Sequence, residues 1–123
     1  MTAGADRSAP RRGWVYLADL GAARGTEPGK ARPVLVLQTD LLNRVHPSTV
    51  ILPLTTSVQS GADLLRVHFK KGEAGLGADS DALIDQPRAV DNRRLRRPLG
   101  AAPARRLAEV ESALAVLLDL PGA

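Results

Sequence analysis

Apolar and polar residues alternate through residues 14–20. Trp14, Tyr16, Ala18 and Leu20 share one face, and Val15, Leu17 and Asp19 the other, the period of a β-strand. Val34, Leu35, Val36 and Leu37 form an unbroken aliphatic run, which predicts a second strand covered on both faces. Arg32 and Pro33 open it, at a position where proline loses no ladder bond. A polar segment follows, in which Asp40, Leu41, Leu42 and Asn43 suit one helical turn. Residues 50–56 predict a third strand, and Pro53 inside it marks an edge or a bulge. Leu65, Val67 and Phe69 alternate with Leu64, Arg66 and His68 as a fourth strand, residues 81–86 read as a fifth, and Leu99 ends a last short one. Asp91 suits the N-cap of a short turn. Leu107, Val110, Leu114 and Leu117 recur on one helical face; Pro103 fits its first position, and Pro121 and Gly122 stop it. Gly-rich residues 21–30 and 70–79 are loops. Short strands followed by one late helix predict a mainly β fold with appended helices (α+β), a small antiparallel barrel carrying a C-terminal helix.

The second and third strands are most simply an antiparallel pair. Position sums are constant along such a pair. If Leu37 faces Ile51, Arg32 faces Thr56, with Cβ atoms roughly 5 Å apart. A slip of one brings Thr55 there instead. A guanidinium and a hydroxyl are therefore expected to meet at one rim, under the loop Gly25-Thr26-Glu27-Pro28-Gly29-Lys30. That loop is not a Walker P-loop, because no Gly-Lys-Ser/Thr follows and a strand comes next instead of a helix.

Length and composition narrow the function classes. The 123 residues make one domain, with residues 1–11 expected as a disordered, basic arm and residues 12–120 as the folded part. With 17 Lys and Arg against 13 Asp and Glu, the net charge of +4 favours a polyanionic partner. Aromatic residues are only 2%, which argues against stacked-base platforms and reads Trp14 and Tyr16 as core or interface. With no cysteine, a disulfide framework, a thiolate zinc site and a cysteine nucleophile are excluded. No apolar leader or membrane-length run is present, and a cytoplasmic protein is expected. There is no HExxH and no metal-ligand spacing. His46, before Pro47, is expected to be extended and exposed, and His68 to lie on the polar face of its strand.

The stretches RGW-Y-ADL, RGTEPGKARPVLVLQ, TVILPLTTS and LIDQPRAVDNRRL resemble the MazF/PemK family of endoribonuclease toxins from type II toxin–antitoxin systems. The resemblance runs from about Arg12 to about Leu118. It implies an SH3-like barrel forming a homodimer, with the Gly loop closing over single-stranded RNA. It carries the family's catalytic Arg onto Arg32 and its catalytic Thr onto Thr56. Thr26, Glu27, Lys30, Thr55, Ser57, Gln86 and Arg88 are then the expected RNA-binding residues. It implies no cofactor and no metal. The implied partner is a cognate antitoxin whose disordered, acidic C-terminal tail occupies a basic groove. Pro28, Pro87 and Ala89 depart from the commoner family residues around that groove.

RNA carries its own nucleophile in the 2′-hydroxyl. Its attack on the adjacent phosphorus yields a 2′,3′-cyclic phosphate and a 5′-hydroxyl without metal. The protein then has to hold the backbone, stabilise added negative charge and handle two protons. Arg32 suits the charge role, since its fork matches two phosphate oxygens and stays cationic. Thr56 can donate to a non-bridging oxygen or to the leaving 5′-oxygen. Glu27 is the first candidate for proton acceptor and His46 the second. The basic run Arg93, Arg94, Arg96 and Arg97 suits either phosphate contact or a solvated face. Two other classes are open: a gyrase-poisoning toxin of the same fold, against which the tail Leu120-Pro121-Gly122-Ala123 counts, and a non-catalytic SH3-like nucleic-acid or protein adaptor.

Overall fold

The computed structural model describes residues 9–22, 25–26, 30–61 and 64–122. Glu27 and most of the expected N-terminal arm lie outside the described residues. The alternating run forms β1 (Trp14–Asp19), and the aliphatic run forms β2 (Ala31–Val36). A one-turn helix, α1 (Asp40–Asn43), leads to β3 (Ser48–Thr55). β4 (Arg66–Phe69), a 3-10 turn (Glu73–Gly75), β5 (Ser80–Leu83) and β6 (Arg88–Asp91) follow. A second 3-10 turn (Asn92–Arg94), β7 (Leu95–Ala101) and α2 (Ala104–Leu117) complete the described elements.

The strands run β4-β5-β3-β2-β1-β7, and β6 also pairs with β3; every pairing is antiparallel. The result is a barrel-like open sheet with a C-terminal helix, the mainly β architecture expected. The expectation of Pro53 at an edge is corrected. β3 is flanked on both sides, and Pro53 falls where one flank passes from β6, last paired at Ile51–Arg88, to β5, first paired at Leu54–Ala82. A residue without an N–H sits there at little cost to that ladder.

Side-chain alternation splits the interior in two. Val15, Leu35, Leu52, Leu54, Val67, Phe69 and Ile84 form one buried cluster, which α2 closes with Val110 and the partly buried Leu107 and Leu114. Tyr16, Ala18, Leu20, Val34, Val36, Ile51 and Val90 form the other, with Trp14 and Leu95 against it. Leu117, expected on the packed face of the helix, is 40% exposed. Glu73 fastens α2 from below, accepting from Arg106 Nε at 2.9 Å and Arg105 Nη2 at 2.8 Å. The Glu73 turn presses on β7 closely enough that a Cβ on Gly75 would lie 2.1 Å from the Leu99 carbonyl oxygen.

Several boundaries differ from expectation. β5 ends at Leu83 and not at Gln86, and β2 begins at Ala31, so Pro33 lies inside it opposite Leu17. β6 was not anticipated, because Arg88-Ala89-Val90-Asp91 buries only Val90 and shows no apolar run. β7 spans seven residues and not a short stub, since its register shifts twice against β1 and its middle is exposed Arg96, Arg97 and Pro98, which hides the alternation. Pro103 caps α2 instead of occupying its first helical position. Asp91 caps its turn as expected, accepting from the Arg93 N–H at 2.9 Å.

Candidate active site

The β2–β3 register decides which residues meet. Val36 faces Ile51, Leu35 faces Leu52 and Val34 faces Pro53, one position away from a register in which Leu37 faces Ile51. The cause is local. The N–H groups of Leu37 and Gln38 both point at the Val50 carbonyl, at 3.0 and 3.3 Å, so one residue is absorbed as β2 ends. Carried two places on, the register sets Arg32 across from Thr55, and Thr56 becomes the first residue beyond β3. Directly opposed residues share a face. Leu95, Ala18 and Arg32 lie in one cross-strand line, and His68, Asp81 and Thr55 in another. The Arg32–Thr55 step joins them on the Ala18 face.

At this rim Arg32 and Thr55 are half-buried and Thr56 and Ser57 exposed. The Ser57 N–H donates to Thr55 Oγ1 at 3.1 Å, and the Val58 N–H to the Thr56 carbonyl at 3.0 Å. Lys30 closes the preceding loop. Its carbonyl accepts from the Leu20 N–H at 2.9 Å and its own N–H donates to the Gly21 carbonyl. This requires a left-handed backbone at Lys30, φ 64°, a conformation that costs an ordinary residue roughly 1–2 kcal/mol. Gln86, in the turn after β5, donates from Nε2 to Thr26 Oγ1 at 3.4 Å and so links two of the expected RNA-binding residues.

Other sequence candidates lie farther off. Arg88 faces Ile51, which faces Val36; it shares the Arg32 face but sits four strand positions along, roughly 13 Å. His46 precedes β3 at its far end, and its carbonyl accepts from Asn92 Nδ2 at 2.9 Å. The length of β3 separates it by roughly 23 Å along the strand from the rim of the same chain. The basic run is largely engaged. Arg93 pairs with Asp91, whose carboxyl the Arg93 side chain and N–H hold down at about 2. Arg94 donates to the Asp19 carbonyl at 3.2 Å, and Arg96 to the Asp19 carboxylate at 3.4 Å. Arg96 and Arg97, with Arg11, Arg44 and Tyr16, line a basic cavity of about 610 Å³.

One cluster escaped the sequence reading. Asp81 is only 2% exposed, yet it accepts from His68 Nδ1 (2.9 Å), the Gln59 N–H (3.0 Å) and Arg66 Nη1 (3.3 Å). Burial works against its charge, but the Gln59, His68 and Arg66 donors outweigh it and hold the carboxyl below its ordinary value. The available signal was an acidic residue beside the buried Ala82 and Ile84, together with a histidine on the neighbouring strand.

A barrel-like open antiparallel sheet with a C-terminal helix, carrying a guanidinium and hydroxyls near one rim, defines a small β-protein. Comparison with known proteins gives the family. The profile of the PemK-like, MazF-like toxins of type II toxin–antitoxin systems matches residues 11–118, and the chain belongs to that family. It is 34% identical over 110 residues to an endoribonuclease MazF of Staphylococcus epidermidis, covering 89% of this chain and 92% of that one. Among solved structures it resembles MazF of Deinococcus radiodurans with a TM-score of 0.77 at 32% identity, over 90% of this chain and 97% of that one. It also resembles a mycobacterial endoribonuclease in complex with its cognate antitoxin, with a TM-score of 0.73 at 26% identity, over 94% and 98% of the two chains. No helix among the described residues is long and apolar enough to cross a membrane.

Proposed function

We propose that the chain is a metal-independent, sequence-specific endoribonuclease toxin that cuts single-stranded RNA and is neutralised by a cognate antitoxin. The observation that supports this reading is the β2–β3 register, paired as far as Val34–Pro53, whose continuation brings Arg32 level with Thr55, with Thr56 exposed beside it. The 2′-oxygen bonds to phosphorus as the bond from phosphorus to the 5′-oxygen breaks. The 2′-hydroxyl proton passes to an acceptor, the role assigned to Glu27, which releases it to solvent, and the 5′-oxygen takes a proton from solvent. Arg32 holds the non-bridging oxygens, whose charge grows in the transition state, and Thr56 donates to the same group or to the leaving oxygen. Thr26, Lys30, Thr55, Ser57, Gln86 and Arg88 contact the flanking nucleotides. The basic cavity supports a polyanionic occupant, and the acidic antitoxin tail is assigned there. The working form is a homodimer in the cytoplasm. Kinetics of Arg32→Ala and Thr56→Ala on a defined RNA test the assignment. Each substitution lowers kcat by about 10²–10³ with RNA binding largely kept. Cleavage by Arg32→Ala within threefold of the parent rate would remove Arg32 from the mechanism.

A further inference from the structure

The hydroxyl segment, residues 55–59, has little secondary structure of its own. Besides the Val58 N–H on the Thr56 carbonyl, its hydrogen bonds among the described residues include the Ser57 N–H on Thr55 Oγ1, the Ser57 carbonyl on Arg66 Nη1 at 2.7 Å, and the Gln59 N–H on Asp81 Oδ2 at 3.0 Å. Two of these run through one pair, the buried Asp81 and the part-buried Arg66. Arg66 Nη1 touches both the Ser57 carbonyl and Asp81 Oδ2, and His68 Nδ1 occupies the other carboxylate oxygen at 2.9 Å. His68 is itself held from its far nitrogen by Asp79 at 3.4 Å. Asp81 stands opposite Thr55 on one side and His68 on the other. The brace is thus built into the sheet directly behind the rim.

A buried carboxylate is a poor source of stability. An apolar residue at such a position often packs at least as well, whereas an ion pair fixes geometry. We infer that Asp81 is a positioning residue for the proposed reaction: with Arg66 and His68 it sets the place of the loop carrying Thr56. The inference rests on the proposed ribonuclease function. Misplacing a reacting group by about 1 Å costs roughly 10²-fold in rate, so a slackened loop lowers kcat while the rest of the RNA site keeps its affinity.

The test is steady-state cleavage of a defined RNA by the full-length protein and by Asp81→Ala, Asp81→Asn and Arg66→Met, with folding checked by circular dichroism and melting. Asp81→Ala loses about ten- to a hundredfold in kcat with KM within about twofold. Asp81→Asn, which keeps an acceptor for the Gln59 N–H, recovers most of that loss. Arg66→Met frees the Ser57 carbonyl and lowers kcat with Asp81 in place, and it decides the matter if Asp81→Ala does not fold. A folded Asp81→Ala or Arg66→Met that melts lower but cuts with the parent kcat reduces the brace to a structural pair and overturns the inference alone. Failure of the unmodified protein to cut RNA in the same assay overturns the functional reading, and the inference with it.

Discussion

Asn43→Ala should unfold the connection that sets the β2–β3 register. Asn43 is 2% exposed at the end of α1. Its Nδ2 donates to the Gln38 carbonyl at 2.9 Å and to Asp40 Oδ1 at 3.0 Å, and its Oδ1 accepts from Gln38 Nε2 at 3.0 Å. Gln38 in turn donates to the Ser48 carbonyl at 3.0 Å and accepts from the Val50 N–H at 3.3 Å. Both ends of the connection are thereby tied to one side chain. Alanine removes three hydrogen bonds at about 1 kcal/mol each, a loss of about 3 kcal/mol before any penalty for the stranded Gln38 carbonyl. That is about a 150-fold fall in the folding equilibrium and a drop in Tm on the order of 10 °C for a domain of this size. Urea unfolding followed by the fluorescence of Trp14, the single tryptophan, measures it directly. Asn43→Asp should cost at least as much, because it turns an oxygen toward the Gln38 carbonyl. A loss under about 1 kcal/mol for Asn43→Ala would show that the network does not hold the connection.

Gly75→Ala places a methyl 2.1 Å from the Leu99 carbonyl oxygen on a backbone at φ 72°, and this contact is with main chain that has to move. The substitution should cost about 2 kcal/mol or more by differential denaturation, whereas Gly77→Ala, which meets nothing within 4 Å, should cost little. Glu73 supplies a pH test. Arg106 first, then the Lys70 N–H, bring its carboxyl from an ordinary 4.5 to about 2. A carboxyl lowered on folding stabilises above its unfolded value and loses that contribution as pH falls toward the folded one. Melting curves should place Glu73→Gln below the parent at pH 6, with the gap shrinking from about pH 4.5 and closing near pH 2; a gap constant across that range would contradict the clasp.

Where burial is one-sided or complete, the chain's pattern is readable. Trp14, Tyr16 and Ala18 share the face that their alternation predicts, and Val34 and Leu35 divide between two clusters as an all-apolar strand requires. The β2–β3 register is not readable, because it turns on the Leu37 and Gln38 N–H groups sharing one carbonyl, a main-chain event that no side-chain pattern records. That event moved the residue opposite Arg32 from Thr56 to Thr55. β6 and β7 are hidden for a related reason: β6 pairs regularly and β7 through two register shifts, while their outward side chains are largely polar and charged. Asp81 follows Ser80 in a four-residue strand, and only the pairing of β4, β5 and β3 brings His68, Arg66 and the Gln59 N–H to it. Of the expected site, Thr26 and Gln86 meet, whereas Arg88 and His46 stand away from the rim.

In the proposed reaction RNA is cut at this rim by its own 2′-hydroxyl without metal. The direct measurement is incubation of the purified protein with long unstructured RNA in EDTA, followed by mapping of the cut sites and chemical analysis of both new ends. Discrete cuts leaving a 2′,3′-cyclic phosphate and a 5′-hydroxyl, lost in Arg32→Ala, are the predicted result. RNA left intact by the folded protein, or cuts that return only with a divalent cation and leave a 5′-phosphate, would contradict the account.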